Sequence, residues 1–437
     1  MIRLFEWLNQ ETLDLHYSLE TAGLSGTTVL LNDDGCLPEG VTSPYSYFCG
    51  MSVGQGKARY FNQIRVPDYW QITGNNTKGE IWNKSDKMAD IFYHEPSHLR
   101  FVKTVDWLDK KGQVRLSEHY NQSGWVFAKT YFDDKQQGLF KTYLTQAQEE
   151  VLIENLRTGA ILLNWKDKVH HFTKKLDFIL FYLKESGLDL SAIWYNSLAM
   201  PFMISYYLDL PGDDILFWQE TIGEDVPGNM RIILSGRTHR SKRVIVQDKA
   251  TYDKMQLLLS EEEKKRVSYL GYLYPEKSEN SGQQKILTLT NSDQLEHLEF
   301  LVTSLPNYQF HIGALTEMSP YLMGFAQYDN VHLYPNIAQD QVRRLFETCS
   351  IYLDINHGSE ILSAVRQAFE YNQLVLAFDK TSHNPQLTLA DNCFQSDKPE
   401  QLVQYLSEIS HIQDLVKQQR QGLGQDNPEN YRRLLGD

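Results

Sequence analysis

The stretch NHGSEILSAVRQAFEYNQLVLAFD, residues 356–379, decides the fold. An apolar strand over residues 350–356 runs into a turn of small residues at His357, Gly358 and Ser359. A helix is predicted next, and then a second apolar strand over residues 374–378. Strand, helix and strand at these lengths form a βαβ unit, whose strand end and helix N-terminus can cradle a phosphate. The stretch nevertheless lacks the charges expected around a bound phosphosugar. It is either a nucleotide-sugar site or the remains of one.

Working outward, the second half of the chain repeats the same alternation. KILTLT, QFHIGA and VHLYP read as strands. SDQLEHLEFLVTSL, SPYLMGFAQY and AQDQVRRLFETC read as helices. Repeated β-α at this spacing predicts a doubly wound parallel sheet, followed by a polar helical tail from residue 399. Upstream, EKSENSGQQK has no apolar period and reads as a linker. The N-terminal end is also α/β. IRLFEW and TTVLLNDD are strands flanking an amphipathic helix that Gly23 closes. The end of the second strand, Asn32 and Asp33, falls on the ligand-binding edge of a parallel sheet.

Residues 56–170 differ. RYFNQIRV, GEIWNK, ADIFYHE, LRFVKTVDW, QVRLSEHY, WVFAKTYF, GLFKTYLT, EVLIEN and AILLNW alternate apolar and polar residues between turn signals. That is an antiparallel meander inserted in an α/β pattern, which resumes with TKKLDFILFYLKESGL, AIWYNS and DILFWQE. The predicted layout is an N-terminal Rossmann-like domain in two parts, residues 1–55 and 171–275, an inserted meander over 56–170, and a second Rossmann-like domain with its helical tail over 276–437. The meander carries enough aromatic residues to cover both faces, and a partner could take the second face.

Composition narrows the function. A formal net charge of -14 argues against general nucleic-acid binding. No apolar run approaches the ~20 residues that span a bilayer, and MIRLFEWLNQ has no basic stretch leading into an apolar one. The expected location is therefore cytoplasmic. Cys36, Cys49, Cys349 and Cys393 are scattered and read as unpaired thiols. The Asn-x-Ser/Thr sequons at Asn75, Asn83 and Asn121 then have no meaning as glycan acceptors.

Several motifs match chemistry only by letter. HEPSH, with His94, Glu95 and His98, spells a zinc-protease pattern, but Pro96 and the strand-like flanks make it a turn. GMSVGQGKA, residues 50–58, lacks the spacing and the Ser or Thr of a phosphate-binding loop. His170 and His171 point to opposite faces of a strand, so no metal is expected. RTHRSKR, residues 237–243, reads as a solvated basic loop that could also steer an anionic partner. No cofactor is implied.

DLHYSLETAGL, LNDDG and VTSPYSYFCG resemble the accessory B subunit (GtfB) of the two-subunit transferase that adds N-acetylglucosamine to Ser and Thr of bacterial serine-rich-repeat adhesins. The resemblance runs over essentially the whole chain. It implies a GT-B architecture, with two Rossmann-like domains facing a cleft. It also implies a heteromer, a heterotetramer being one form, with a catalytic subunit of the same fold. The accessory subunit stabilises that partner and helps hold the Ser/Thr-rich acceptor, and the pair could sit peripherally at the cytoplasmic face of the cell membrane.

Active retaining enzymes of this fold carry an Arg and a Lys after the first strand of the C-terminal domain, and two Glu around the last βαβ unit. An ungapped alignment places Asn291 and Glu296 at the first pair of positions, and Ser359 and Gln367 at the second. A one-residue slip would put Glu360 at the first Glu position without restoring the basic pair. One preorganised donor on a departing group is worth ~2.7 to 4 kcal/mol, so losing both basic residues would cost roughly 5 kcal/mol or more. The expectation is a non-catalytic subunit. Its acceptor contacts are expected among Asn32, Asp33, His357, Gly358, Ser359 and Glu360. Two alternatives stand beside it. One is an active retaining enzyme using a UDP-sugar through Glu360, His357 and the 237–243 loop. The other is a chaperone that never touches the acceptor.

Overall fold

Every residue of strand β1 (Ile2–Phe5) is buried, the pattern of a strand covered on both faces. It pairs in parallel with β2 (Thr27–Leu30), which pairs with β3 (Val41–Thr42). The chain then leaves for a meander. Its strands are β4 (Gln71–Gly74), β5 (Lys78–Asn83), β6 (Asp86–Tyr93), β7 (Val102–Leu108), β8 (Val114–Tyr120), β9 (Val126–Phe132), β10 (Gly138–Leu144), β11 (Glu150–Asn155), β12 (Ile161–Trp165) and β13 (Lys168–Phe172). On return, β14 (Ile193–Tyr195), β15 (Asp214–Trp218), β16 (Ser241–Val246) and β17 (Val267–Tyr269) extend the first sheet on the other side of β1. Its order is β17-β16-β15-β14-β1-β2-β3, so the winding reverses between β1 and β14.

The computed structural model describes residues 1–51 and 56–436. They form two compact units, Met1–Leu13 with Leu24–Leu270, and Asp14–Gly23 with Gly271–Asp437. The sequence GMSVGQGKA runs across 52–55 and so lies partly outside the described residues.

In the first unit, the ten meander strands pair strictly in sequence order. Burial alternates most cleanly in eight-residue β6, with Ala89, Ile91 and Tyr93 inward, as period-two patterning produces, while β9 to β11 bury consecutive residues. Phe127, Tyr143 and Leu152 of this sheet share one core with Ile2, Leu4 and Val29 of the parallel sheet and Phe178 and Tyr182 of the helix Lys175–Glu185. Each such fully buried side chain contributes about 1.5–3 kcal/mol. Part of the aromatic surface therefore packs on the chain's own parallel sheet. A separate core of Phe61, Ile81, Ile91 and Val105 holds β5 to β7.

The second unit holds β18 (Lys285–Thr290), β19 (Gln309–Ala314), β20 (Val331–Tyr334), β21 (Ile351–Asp354), β22 (Leu374–Phe378) and β23 (Cys393–Phe394), all parallel. The order β20-β19-β18-β21-β22-β23 reverses between β18 and β21. Successive residues of β18 feed opposite faces: Ile286 joins one core, while Leu287 and Leu289 join the other. The polar tail is helical over Pro399–Glu408, Ile412–Gly422 and Pro428–Leu435.

Several local expectations are corrected. RYFNQIRV is not a strand. Tyr60 makes a lone bridge to Phe101, and Phe61–Gln63 is a 3-10 turn in which the Gln63 side chain accepts from the Tyr60 amide at 3.0 Å. SDQLEHLEFLVTSL is helical only over Leu298–Ser304, because residues before it pair across to 355–357 instead. SPYLMGFAQY breaks into a helix at Pro320–Met323 and a 3-10 turn at Gly324–Gln327. The helix after the 357–359 turn starts only at Ala364, behind Leu362 and Ser363 with φ of 55° and 48°. Arg240, in the cluster expected to be a solvated loop, is fully buried against Asp214. Residues 276–284 of the linker form no helix or strand, but the Lys277 amide donates to the Glu370 carbonyl at 2.8 Å, and Asn280 Nδ2 donates to the Asn372 carbonyl at 2.7 Å.

Candidate functional site

Open parallel sheets bind ligands beyond strand C-termini where the winding reverses. The second unit has such a point between β18 and β21, and its own chain fills it. Leu295 bridges Asn356, with the Glu296 amide donating to the Ile355 carbonyl at 2.8 Å and the His357 amide to the Gln294 carbonyl at 3.0 Å. The side chains close the same gap. His357 Nε2 lies 2.5 Å from Glu296 Oε2, and Asn356 Nδ2 donates to Asn291 Oδ1 at 3.3 Å. Gly358 fits because it has no side chain: a Cβ there would lie 2.0 Å from Asn291 Oδ1.

A second clasp lies behind this turn. Asp354 Oδ1 meets His383 Nδ1 at 2.7 Å, and His383 Nε2 meets the Gly358 carbonyl at 2.7 Å. Burial opposes protonation of His383, but the Gly358 carbonyl and the Asp354 carboxylate outweigh it and raise its pKa. Burial also raises the pKa of the Asp354 carboxyl. Ser359 gives its carbonyl to Asn356 Nδ2 at 3.2 Å. Glu360 Oε1 accepts from the Val365 amide at 2.9 Å, and Gln367 Nε2 donates to the Leu362 carbonyl at 2.6 Å. So Asn291, Glu296, His357, Gly358 and Ser359 come together around one turn, while Glu360 and Gln367 serve the following helix. No described residue puts an Arg or Lys in these contacts.

Beside this turn the second unit keeps a pocket of about 340 Å³ at the ends of β18 and β19, lined by Asn291, Ser292 and Thr316. In the first unit the strand ends open onto a larger volume. A pocket of about 760 Å³ lies between the ends of β1 and β2 and the face of β7 to β11. Asn32 sits on its wall, donating to the Glu6 carbonyl at 2.9 Å and accepting from Lys175 Nζ at 2.9 Å. Asp33 is buried, with its carboxylate accepting from Ser43 Oγ at 2.5 Å and from the Gly35 amide at 2.8 Å. Burial raises its pKa, and these hydrogen bonds partly offset that. Lys141 reaches in from β10, its ammonium 4.9 Å over the Tyr143 ring. Burial lowers the Lys141 pKa, and nearby Lys175 adds repulsion.

A neighbouring pocket of about 380 Å³ lies at the ends of β1, β14 and β15. There Asn196 Nδ2 donates to Thr12 Oγ1 and Gln219 Oε1, both at 2.8 Å, and Ser197 Oγ donates to Glu6 Oε2 at 2.9 Å. The sequence reading placed Asn32 and Asp33 on a rim and missed Trp7, Asn196 and Gln219. Asn196 and Gln219 follow an apolar strand directly and Trp7 is the second residue beyond β1, so the strand-end argument used for Asn32 would have found them.

His94 precedes a 3-10 turn at Ser97–Leu99 between β6 and β7, and His98 lies within it, so the motif is a turn as its flanks implied. His170 and His171 sit on β13 with His170 packed on Phe181. Among the described residues no cluster of His, Cys, Asp or Glu has the geometry to hold a metal ion. No described helix is long and apolar enough to cross a membrane.

Comparison with known proteins agrees across the chain's length. Family models match as the GtfB N-terminal domain over residues 2–48, the GtfB middle domain over 70–173, the GtfB third domain over 175–258 and the GftB/GlyA-F C-terminal domain over 286–422. The UDP-N-acetylglucosamine--peptide N-acetylglucosaminyltransferase stabilizing protein GtfB of Streptococcus parasanguinis is 53% identical over 435 residues, covering 100% of this chain and 99% of the relative. The protein of the same name from Streptococcus agalactiae is 48% identical, again over 100% and 99%. A chain in the crystal structure of a GtfA/B complex bound to UDP and GlcNAc superposes with a TM-score of 0.93 at 40% identity, covering 100% of this chain and 99% of that one. With full-length relatives at this identity, the chain belongs to the GtfB family.

Proposed function

We propose that this chain is the non-catalytic subunit of a protein O-GlcNAc transferase. It stabilises a catalytic GT-B subunit in a heteromer and binds a Ser/Thr-rich acceptor polypeptide in the cytoplasm, where the complex can meet the membrane peripherally. The observation that carries the reading is the filled reversal point of the second unit. The positions that would neutralise a donor diphosphate hold Asn291 and Glu296, and Glu296 is engaged by His357. A second anion placed on that carboxylate would be repelled, and no preorganised cation would stabilise the leaving group.

The finer architecture belongs to the same reading. Both parallel sheets serve as Rossmann-like domains of a GT-B fold, with parts 1–55 and 171–275, the meander 56–170, and the domain 276–437. Acceptor contacts are assigned to Asn32 and Asp33, and to the turn from His357 through Gly358 and Ser359 to Glu360. The degenerate donor positions are Asn291, Glu296, Ser359 and Gln367.

Co-expression tests it. The catalytic homologue would be produced alone and with this chain, and transfer from UDP-GlcNAc to an adhesin fragment measured for each chain and for the pair. The expected outcome is no transfer by this chain alone, and higher soluble yield and turnover of the homologue in its presence. Turnover by the isolated chain would refute the proposal.

A further inference from the structure

The two pockets of the first unit share Trp7 and Asn9 in their linings, so they form one continuous groove. It runs past the ends of β2, β1, β14 and β15, which are neighbours in the sheet in that order. Three inter-strand spacings of about 4.8 Å give roughly 14 Å, the reach of about four residues of extended chain. Trp7 stands where the pockets join, 63% exposed. An indole left in water at the waist of a polar groove is a platform for a passing chain.

The groove's polar groups specify what passes. The larger pocket balances Asp33, Asp34 and Glu154 against Lys103, Lys141 and Lys175, while the smaller has Glu6, Glu11 and Glu220 and no basic residue. A carboxylate entering the smaller pocket would meet like charge. A hydroxyl can donate to a carboxylate and accept from an ammonium or amide. The protein's own hydroxyls already make such contacts: at the groove wall Ser197 on Glu6 at 2.9 Å and Thr12 beneath Asn196 at 2.8 Å, and behind it the buried Ser43 on Asp33 at 2.5 Å. Gln219 is held by donating to the Glu11 carbonyl at 2.8 Å and to Gln247 Oε1 at 3.0 Å, so this strand-end amide is fixed in place.

We infer that this groove is the track for an extended, uncharged, hydroxyl-rich polypeptide, with Trp7 as its central platform and Glu6, Glu11 and Glu220 excluding acidic segments. The inference rests on the acceptor-binding reading above and assigns it to particular residues. It differs from the strand-end expectation in placing the main contact at Trp7.

The test uses the full chain in complex with its catalytic homologue, and an unglycosylated peptide of Ser, Thr and Ala in two forms, one with several Ser replaced by Asp. Binding would be followed by fluorescence anisotropy. The uncharged peptide should bind, and the Asp form roughly tenfold or more weaker. W7A should weaken the uncharged peptide roughly tenfold or more with the complex still assembled. Combining E11Q with E220Q should narrow the gap between the two peptides without loss of the uncharged one, a change that misfolding would not produce. If W7A binds like the parent, or the gap persists in the Glu variants, the groove assignment falls while acceptor binding stands. If the parent complex binds neither peptide, both fall.

Discussion

Arg240 shows how little a residue's surroundings can be read from its neighbours in sequence. Its guanidinium donates through Nε and Nη2 to Asp214 at 2.8 Å each, and its other donors reach the Leu190, Leu210 and Pro211 carbonyls at 2.7–2.8 Å. Gly212 leaves room for it, since a Cβ there would lie 2.3 Å from the guanidinium carbon. The basic run RTHRSKR suggested solvent because Asp214 and the carbonyls come from elsewhere in the chain. R240A would strand a buried carboxylate and should cost about 3–5 kcal/mol, measured by urea unfolding. Glu360 makes the opposite case. Its carboxylate accepts from the Val365 amide at the start of a helix. E360A should therefore cost only about 1 kcal/mol of stability. As one acceptor contact among several, its loss should raise the KM of the assembled complex for the acceptor by a few-fold and leave kcat within a few-fold of the parent, and a thousandfold loss of kcat with the complex intact would make Glu360 part of the chemistry.

Elements were legible where one period dominates. The strands β5 to β12 follow their alternation, and the continuous apolar runs of β15 and β22 gave buried parallel strands. What failed were segments claimed by distant partners: residues 292–297 had helical letters but were drawn to 355–357, a pairing no local window contains. Two strand histidines predict how these elements respond to pH. His119 of β8 contacts Thr130 Oγ1 at 2.8 Å, and burial pulls its pKa down to about 3. His311 of β19 contacts Tyr334 Oη at 2.8 Å, and burial, with His332 beside it, pulls its pKa down to about 4. Below the ordinary value of 6.5, the unfolded chain binds protons that these folded sites refuse. Their contribution is thus complete above that pH and lost as pH falls from about 6.5 toward 4, at up to about 1.4 kcal/mol per unit for each group. Thermal scans from pH 8 to 5 should show the melting temperature dropping below about pH 6.5. The double variant H119N/H311N should flatten that slope; an unchanged slope would assign it to other groups.

At the scale of the whole molecule, the proposed reading is of a chain that keeps the scaffold of a donor site without the groups that would use it. That Ser359 and Gln367 carry no charge was readable from sequence. That Glu296, His357, Gly358 and Asn291 would close on one another was not, because their contacts join turns about 60 residues apart. A ligand that binds only the folded state stabilises it by RT ln(1 + [L]/Kd), about 2.7 kcal/mol at a hundredfold excess over Kd. For the isolated chain, UDP-GlcNAc or UDP at millimolar concentration should leave the melting temperature unchanged, because the reversal point is already bonded to itself. For the assembled complex the same nucleotide should raise the transition of the catalytic subunit. Calorimetric scans of chain, partner and complex separate these cases. Opening the clasp with E296A/H357A should lower the stability of the isolated chain and still yield no nucleotide-dependent shift, since deleting the plug restores no cation to hold a diphosphate. A shift that appears only in that variant would mean that the missing basic residues are not what silences the site, and that the plug alone holds the donor out.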